Sequence, residues 1–529
     1  MKYLKNKFNN RLLISMFVLI TILTGCDKDL PNTDEKQISD EGLTVDANEG
    51  GFLLPGMMNN LVPTSAGNYQ AYQNHNGDAF SGYLSSPTPF QGNIQNRTYA
   101  MSDTWNNRVW LNPTGNVLNQ WVQMNKKGFD TKYPDLYAIG LICKVYVGHT
   151  LVDVLGPVPY TKYGSSSEVV FDDEEASYNA FFMELDWAVK ALTAAEDANA
   201  GADQLRFAKF DKSLYAGDYR KWAKAANTLR LRLAIRISKV NPAKAKTEAE
   251  AAVSHKYGVI EATDGQFAII PPTTHPLEQM TFAWSDVRLG AAIETYLTGL
   301  NDPRLPKYAL PALDPTLGGK IRGFRNGIAI SSKDTYVNFS QPNFATNTPV
   351  KVIDGAESYF LRAEGVLRGW NMGGKTAQEF YETGVRASFS QNGVSGIDAY
   401  LNDNTSTQNA FVDPKNPVNN SPAISTITVK WDESATFERK LERVLTQKWI
   451  AMYPEGREAW AEFRRTGYPK MYLNVVNNSN GVIPANDYIK RLTYPTSITN
   501  ASKAAVDAAV AKYLNGKDNA FSPIWWDVD

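Results

Sequence analysis

Cys26 is the first residue whose neighbours prescribe a reaction. Lys2, Lys5, Lys7 and Arg11 precede an apolar run from Leu12 to Leu23, and Leu23-Thr24-Gly25-Cys26 closes it. A basic start, a short apolar stretch and small residues before a cysteine form the pattern of a cleaved bacterial lipoprotein signal. The run is 12 residues long, well short of the ~20 that a spanning helix needs. Residues 1–25 are therefore expected to be removed as a signal peptide, leaving a mature chain that begins at an acylated Cys26. One acyl chain binds a membrane marginally and each buried methylene adds ~0.8 kcal/mol, so several chains, palmitate among them, hold a protein firmly to a bilayer surface.

Other reactive residue types are not spaced for catalysis. His75, His149, His255 and His275 form neither an H-E-x-x-H zinc pattern nor an H-x-x-H pair, and no G-x-S-x-G elbow occurs. Cys143 sits in the apolar run Tyr137 to Val147 without a nearby base and reads as a core residue. Gly369-Trp370-Asn371-Met372-Gly373-Gly374-Lys375-Thr376 satisfies the phosphate-loop pattern letter by letter. A phosphate loop, however, joins a buried strand to a helix. Here Ala356 to Arg368 has a helical period, so the glycines are expected to form a turn between two helices. No catalytic residue and no cofactor are assigned. The paired carboxylates of a glycosidase leave no local trace, so a surface hydrolase stays open as an alternative.

Aromatic residues make up 12% of the chain, and their surroundings separate core from candidate site. Between Tyr69 and Trp110 lie Tyr69, Tyr72, Phe80, Tyr83, Phe90, Tyr99, Trp105 and Trp110, interleaved with Asn, Gln, Gly, Ser and Pro. Such aromatic faces with polar neighbours suit a sugar ring, whose C–H faces stack while its hydroxyls take hydrogen bonds. Tyr72, Tyr83, Trp105 and Trp110 are the expected ligand face, with His75 and Asp78 as polar neighbours. Trp284, Asp286 and Arg288, from Met280 to Gly290, are expected to converge on them. For every one of these rings core packing is the competing use. A row of aromatics favours a glycan; exposed backbone and paired charges would favour a peptide.

The elements that must hold these residues are mainly helical. Lys221 to Ser238 places Trp222, Ala226, Leu229, Leu233 and Ile237 at helical steps, while Arg230, Arg232 and Arg236 fall elsewhere. Ala356 to Ser388 reads as helix, glycine-rich turn and helix, close to a tetratricopeptide unit of ~34 residues. Comparable pairs are expected at Leu136–Val154 with Glu174–Leu192, Tyr219–Ser238 with Ala243–His255, and Phe437–Tyr453 with Arg457–Arg465. A helix pair cannot bury its apolar face alone, so four stacked pairs would form a scaffold whose loops are free to bind. Ahead of them, residues 26–48 are polar and acidic and read as a flexible tether. Residues 49–529 then form one large domain, since no Gly/Ser- or Pro-rich linker divides them. The mature chain carries 50 basic and 55 acidic side chains, a net charge of −5, which argues against nucleic acid as a partner.

With these pieces in order, the chain resembles the SusD/RagB-like nutrient-binding lipoproteins of the outer membrane. The resemblance runs through Asp153-Val154-Leu155-Gly156-Pro157-Val158-Pro159-Tyr160, Phe171-Asp172-Asp173-Glu174-Glu175 and the Trp222 to Ser238 helix. It continues through Asn301-Asp302-Pro303-Arg304-Leu305, Ala356 to Trp370, Gln447 to Phe463 and Arg491-Leu492-Thr493-Tyr494-Pro495. It implies a mainly α fold of tetratricopeptide-like pairs with large loop insertions and little β structure. It also implies a non-catalytic protein anchored on the exterior of the outer membrane. Its partners would be a SusC-type TonB-dependent transporter and an oligosaccharide or peptide ligand. A surface hydrolase or an adhesion protein is the remaining alternative, and whether an ion supports a loop is left open.

Overall fold

The computed structural model describes residues 47–165, 168–198 and 205–528. The chain divides into two units, Met1–Glu49, of which residues 47–49 are described, and Gly50–Asp529. The expected signal peptide, Cys26 and the tether as far as residue 46 lie outside the described residues.

The second unit is built on helices. The chief ones are α1 (Asp103–Pro113), α2 (Pro134–Leu155), α3 (Glu174–Ala198), α4 (Tyr219–Arg236), α5 (Pro242–Ser254), α6 (Glu357–Leu367), α7 (Ala377–Gln391), α8 (Phe437–Met452) and α9 (Gly456–Thr466). The helices of the four expected pairs are present, and three of the pairs pack together, whereas α8 and α9 are joined mainly through side chains such as Lys448 and Glu462. α2 packs on α3, α3 on α4, α4 on α5, and α6 on α7, while α6 also packs on α4 and α8. α2 starts with proline in its first turn, where a missing N–H costs nothing. It is apolar on every side, and residues Asp135 to Leu155 are all buried, so it forms the centre of the scaffold. It is long and apolar enough to cross a membrane, yet the surrounding helices enclose it completely. Cys143 is buried within it, as its apolar neighbours required. At Gly148 an added Cβ would lie 2.3 Å from the Tyr160 ring, which explains why no side chain stands there.

α4 departs from the simple amphipathic reading. Its apolar stripe is buried at Trp222, Ala226, Leu229 and Leu233, but Arg232 and Arg236 are buried too. Arg232 grips Glu357 of α6 through two hydrogen bonds of 2.8 and 2.5 Å, and Arg236 donates to Glu458 of α9 at 2.6 Å. Arg465 binds Glu364 at 2.7 and 2.8 Å and Glu462 at 2.9 Å, and Lys448 of α8 reaches Glu462 at 3.1 Å. Buried ions hold a fold to one arrangement because removing either partner leaves an unpaired charge, at ~3–5 kcal/mol. This network therefore fixes how α4, α6, α8 and α9 register against one another.

The glycine-rich stretch Gly369–Thr376 is the turn between α6 and α7. Gly369, Gly373 and Gly374 all have positive φ. Thr376 caps α7 in a reciprocal box with Glu379. A helix rather than a strand precedes it, as expected, and the geometry is that of a capped helix hairpin rather than a phosphate loop.

Strands are few and short among the described residues: β1 (Leu84–Ser85), β2 (Phe267–Ile269), β3 (Arg288–Leu289) and β4 (Val350–Ile353). β2 pairs with β4, and β1 pairs antiparallel with β3, with Leu84 opposite Leu289 and Ser85 opposite Arg288. The β1–β3 ladder brings together the two chain stretches that carry the candidate site.

Candidate functional site

Both stretches are irregular helices that are locked in place from below. Gln70–Asp78 is π-helical and nearly all buried, a conformation frequent at functional sites. It docks on the start of α9 through two glycines. A Cβ on Gly77 would meet the Arg457 backbone at 2.8 Å, and one on Gly456 would meet Asp78 at 2.3 Å. The second stretch has its own π-turn at Gln279–Ala283 and then Trp284, Ser285 and Asp286, with Ser285 at φ 56°. The intervening loop is similarly forced, since Gln91, Gly92 and Asn93 are all left-handed. Left-handed non-glycine residues cost ~1–3 kcal/mol each and persist where surrounding contacts dictate them. Here Asn93 exchanges hydrogen bonds with the Ile330 backbone at 2.9 and 3.1 Å, and Gln91 donates to Ser102 at 3.2 Å.

On this base the structure builds an aromatic corner. Trp105 stacks on His75 with ring centroids 3.7 Å apart and planes at 15°. Phe90 meets both edge-on, at 4.9 Å from His75 and 5.6 Å from Trp105. His75 is buried, whereas Trp105 and Phe90 are partly exposed. One indole face is covered by the imidazole, and Trp105 as a whole stays partly exposed. The His75 Nδ1 accepts from Arg97 at 2.6 Å, which puts the imidazole proton on Nε2. Burial, with the Arg97 charge beside it, holds the His75 pKa well below its ordinary value, so the ring is neutral. Arg97 is itself fixed by Asn74, through the backbone oxygen at 3.0 Å and Oδ1 at 2.8 Å. Burial lowers its pKa to about 10.

Asp286 joins the two stretches. It accepts from Thr88 at 2.5 Å, from Lys333 at 2.9 Å and from Gln70 at 3.2 Å. Lys333 also donates to the Trp284 backbone oxygen at 2.8 Å. Phe90 lies two residues from Thr88, so the Phe90–Trp105 corner adjoins this hydrogen-bonded junction, to which half-buried Trp284 is tied through its backbone oxygen. The predicted convergence of the two stretches therefore takes place through Asp286 and the β1–β3 ladder.

Several candidate residues lie elsewhere. Tyr83 is fully buried, stacks on Trp449 at 5.2 Å and donates its hydroxyl to the Trp449 backbone oxygen. Tyr72 is 1% exposed beneath the Arg457 guanidinium, 3.4 Å from its ring centroid. Asp78 is fully buried and accepts from Gln73 at 3.0 Å and Asn74 at 3.1 Å, while burial raises its pKa to about 6. Arg288 is buried with its guanidinium on the backbone oxygens of Val337, Thr281 and Val287. These four are corrected to core positions, because a ligand cannot stack on a ring or charge that the protein has already enclosed. Trp110 is half-buried on α1, five residues beyond Trp105 and so about 140° around the helix from it. It is not part of the corner.

Thr88, Gln70, Phe90 and Lys333 complete the candidate site, while His75 and Arg97, buried like the four above, are corrected to a support beneath Trp105. Phe90 was visible as one ring of the aromatic cluster, whereas Gln70 and Lys333 had no sequence signal. Among the described residues no group of three or more His, Cys, Asp or Glu side chains is placed to hold a metal ion. His275 caps a helical turn by accepting from the Leu277 N–H at 3.2 Å and stacks on Phe344. His149 lies 3.4 Å from Asp153, and His255 approaches the Thr193 hydroxyl at 3.3 Å.

Comparison with known proteins places this architecture. No curated protein matches the chain. Among solved structures, a chitin-binding SusD homologue from Flavobacterium johnsoniae is 42% identical, with a TM-score of 0.87 over 91% of this chain and 99% of that one. A SusD-like protein from Bacteroides thetaiotaomicron is 35% identical, with a TM-score of 0.85 over 91% and 99%. A SusD homologue from Bacteroides uniformis is 34% identical, with a TM-score of 0.82 over the same shares. The family model described as Susd and RagB outer membrane lipoprotein matches residues 30–527, and with so much of both sequence and fold shared, the chain belongs to the SusD-like family.

Proposed function

We propose that this protein captures an oligomeric glycan outside the cell, without cleaving it, and delivers it to a SusC-type TonB-dependent transporter. The observation that carries the reading is the partly exposed Trp105, stacked on His75 and met edge-on by Phe90, two residues from the Thr88 that donates to Asp286. A pyranose ring stacks on such an indole while its hydroxyls meet Thr88, Gln70 and Asp286. The charges here are already paired, Asp286 with Lys333, which suits a neutral sugar better than a charged peptide. Among the described residues Asp286 is the one acid in this group, whereas most glycosidases use two flanking carboxyl groups.

Chitin fragments are the first ligand to try, because the 42% identical Flavobacterium johnsoniae homologue binds chitin. The anchor is the acylated Cys26, and the acidic residues after it form the tether that lifts the helical body from the outer face of the outer membrane. Calorimetric titration with chito-, malto- and xylo-oligosaccharides tests the reading when the sugars are recovered and sized afterwards. Saturable heat with intact sugar is the expected result, and shortened sugar would replace capture with hydrolysis.

A further inference from the structure

Beyond the aromatic corner lies a second opening of about 520 Å³, walled by Ile94, Met101, Asn480, Val482, Thr493 and Asn519. That size falls in the ordinary range of small-molecule sites. We propose that this cleft is a second carbohydrate subsite, which binds further rings of the same glycan that stacks on Trp105. The proposal rests on the glycan-capture reading and adds where, and through which groups, a longer chain is held.

One chain segment runs from the corner to the cleft. Phe90 faces the aromatic corner, and four residues later Ile94 lines the cleft. The three left-handed residues between them are rigidly braced, since Asn478, on the cleft side, donates to the Asn93 backbone oxygen at 3.0 Å. At the other end of the segment, Ala100 and Met101 line the cleft and Ser102 leads directly into α1, which carries Trp105.

The chemistry of the lining fits neutral sugar rings. Ile94 and Val482 are 61% and 42% exposed and offer apolar surface to C–H faces. The Asn480 amide, the Thr493 hydroxyl and the Asn519 Nδ2 hold no hydrogen-bond partner within the described residues, so they remain for hydroxyl and acetamido groups. The one carboxylate, Asp518, is taken by Arg491 at 2.5 Å and by the Tyr494 N–H at 3.0 Å. Free dipoles with neutralised charge select uncharged hydroxylated ligands over ionic ones.

The intact protein in detergent, titrated with chito-oligosaccharides of two to eight rings and with malto- and xylo-oligosaccharides alongside, provides the test. The Asn480→Ala/Thr493→Val double variant should weaken the longest bound oligomers about fivefold, the loss of one or two neutral hydrogen bonds, and leave the shortest unchanged. Val482→Trp, which fills the cleft from an exposed position, should act the same way, whereas Trp105→Ala should weaken every length. If both cleft changes leave all lengths unaltered while Trp105→Ala still weakens them, the subsite is overturned and glycan capture stands. If no oligosaccharide of any series binds the unaltered protein, glycan capture falls and the subsite falls with it.

Discussion

The Trp105 indole lies on the His75 imidazole with centroids 3.7 Å apart, and His75 in turn accepts a 2.6 Å hydrogen bond from Arg97. A flat, neutral, doubly held ring beneath a tryptophan leaves the tryptophan little freedom to lose on binding. Trp105→Ala should therefore weaken glycan binding by ~1–3 kcal/mol, by analogy with bases stacking on aromatic side chains. Because Trp105 is partly exposed, the unfolding midpoint should move little. Calorimetry and thermal melts on the same sample separate the two effects.

Tyr83 gives the contrasting case. Its hydroxyl donates to the buried Trp449 backbone oxygen, so Tyr83→Phe leaves a carbonyl without its donor at a cost of ~1–3 kcal/mol of stability. Glycan affinity should not change. A denaturation midpoint that falls while the titration curve stays superimposable is the expected pair of results.

Stability should peak at mildly acidic pH. Burial raises Asp78 to about 6 and Glu294 to about 7. Protonation of such groups favours the folded state, so their contribution is complete below their unfolded pKa and is lost as pH rises through those values. Asp153 and Glu462 act oppositely. Burial alone would raise both, but Arg236 holds Asp153 at about 2, and Arg465, Lys448 and Arg236 hold Glu462 well below its ordinary value. Their stabilisation is present above the unfolded pKa and disappears as pH falls through the folded one. Thermal melts from pH 2 to pH 8 should show a maximum between the ordinary carboxylate range and the Asp78 value of about 6.

The phosphate-loop lookalike should be inert toward nucleotide. Thr376→Ala removes the cap of α7, which accepts from the Glu379 N–H at 3.2 Å, and should cost ~1 kcal/mol of stability. Lys375→Ala should cost almost nothing, since that side chain lies only loosely over the Phe380 ring at 5.9 Å. Titration of the unaltered protein with magnesium ATP should give no binding heat.

Cys26→Ala should abolish incorporation of labelled palmitate and move the protein from the membrane fraction to the soluble one. Retention in the membrane by the variant would instead mark Leu12 to Leu23 as an uncleaved anchor.

The helical scaffold was legible because its signal is local. The 3.6-residue periods, the Thr376–Glu379 box and the glycines at 369–374 each act within a few residues, and the observed α6–α7 hairpin follows from them. The family resemblance and the lipoprotein signal are also linear patterns. The ligand face was not legible in the same way. An aromatic ring in a polar loop looks alike whether it packs or waits, and only long-range contacts tell Tyr83, sealed against Trp449, from Trp105, which stays partly exposed. Likewise the helical period sets Arg232 and Arg236 off the apolar stripe but does not show that Glu357 and Glu458, more than 120 and 220 residues away in sequence, are brought against them. The sequence by itself determined the helices and the turns between them, because those depend on neighbours along the chain. Which rings and charges meet solvent was decided only by tertiary structure, because burial is set by partners that sequence spacing does not record.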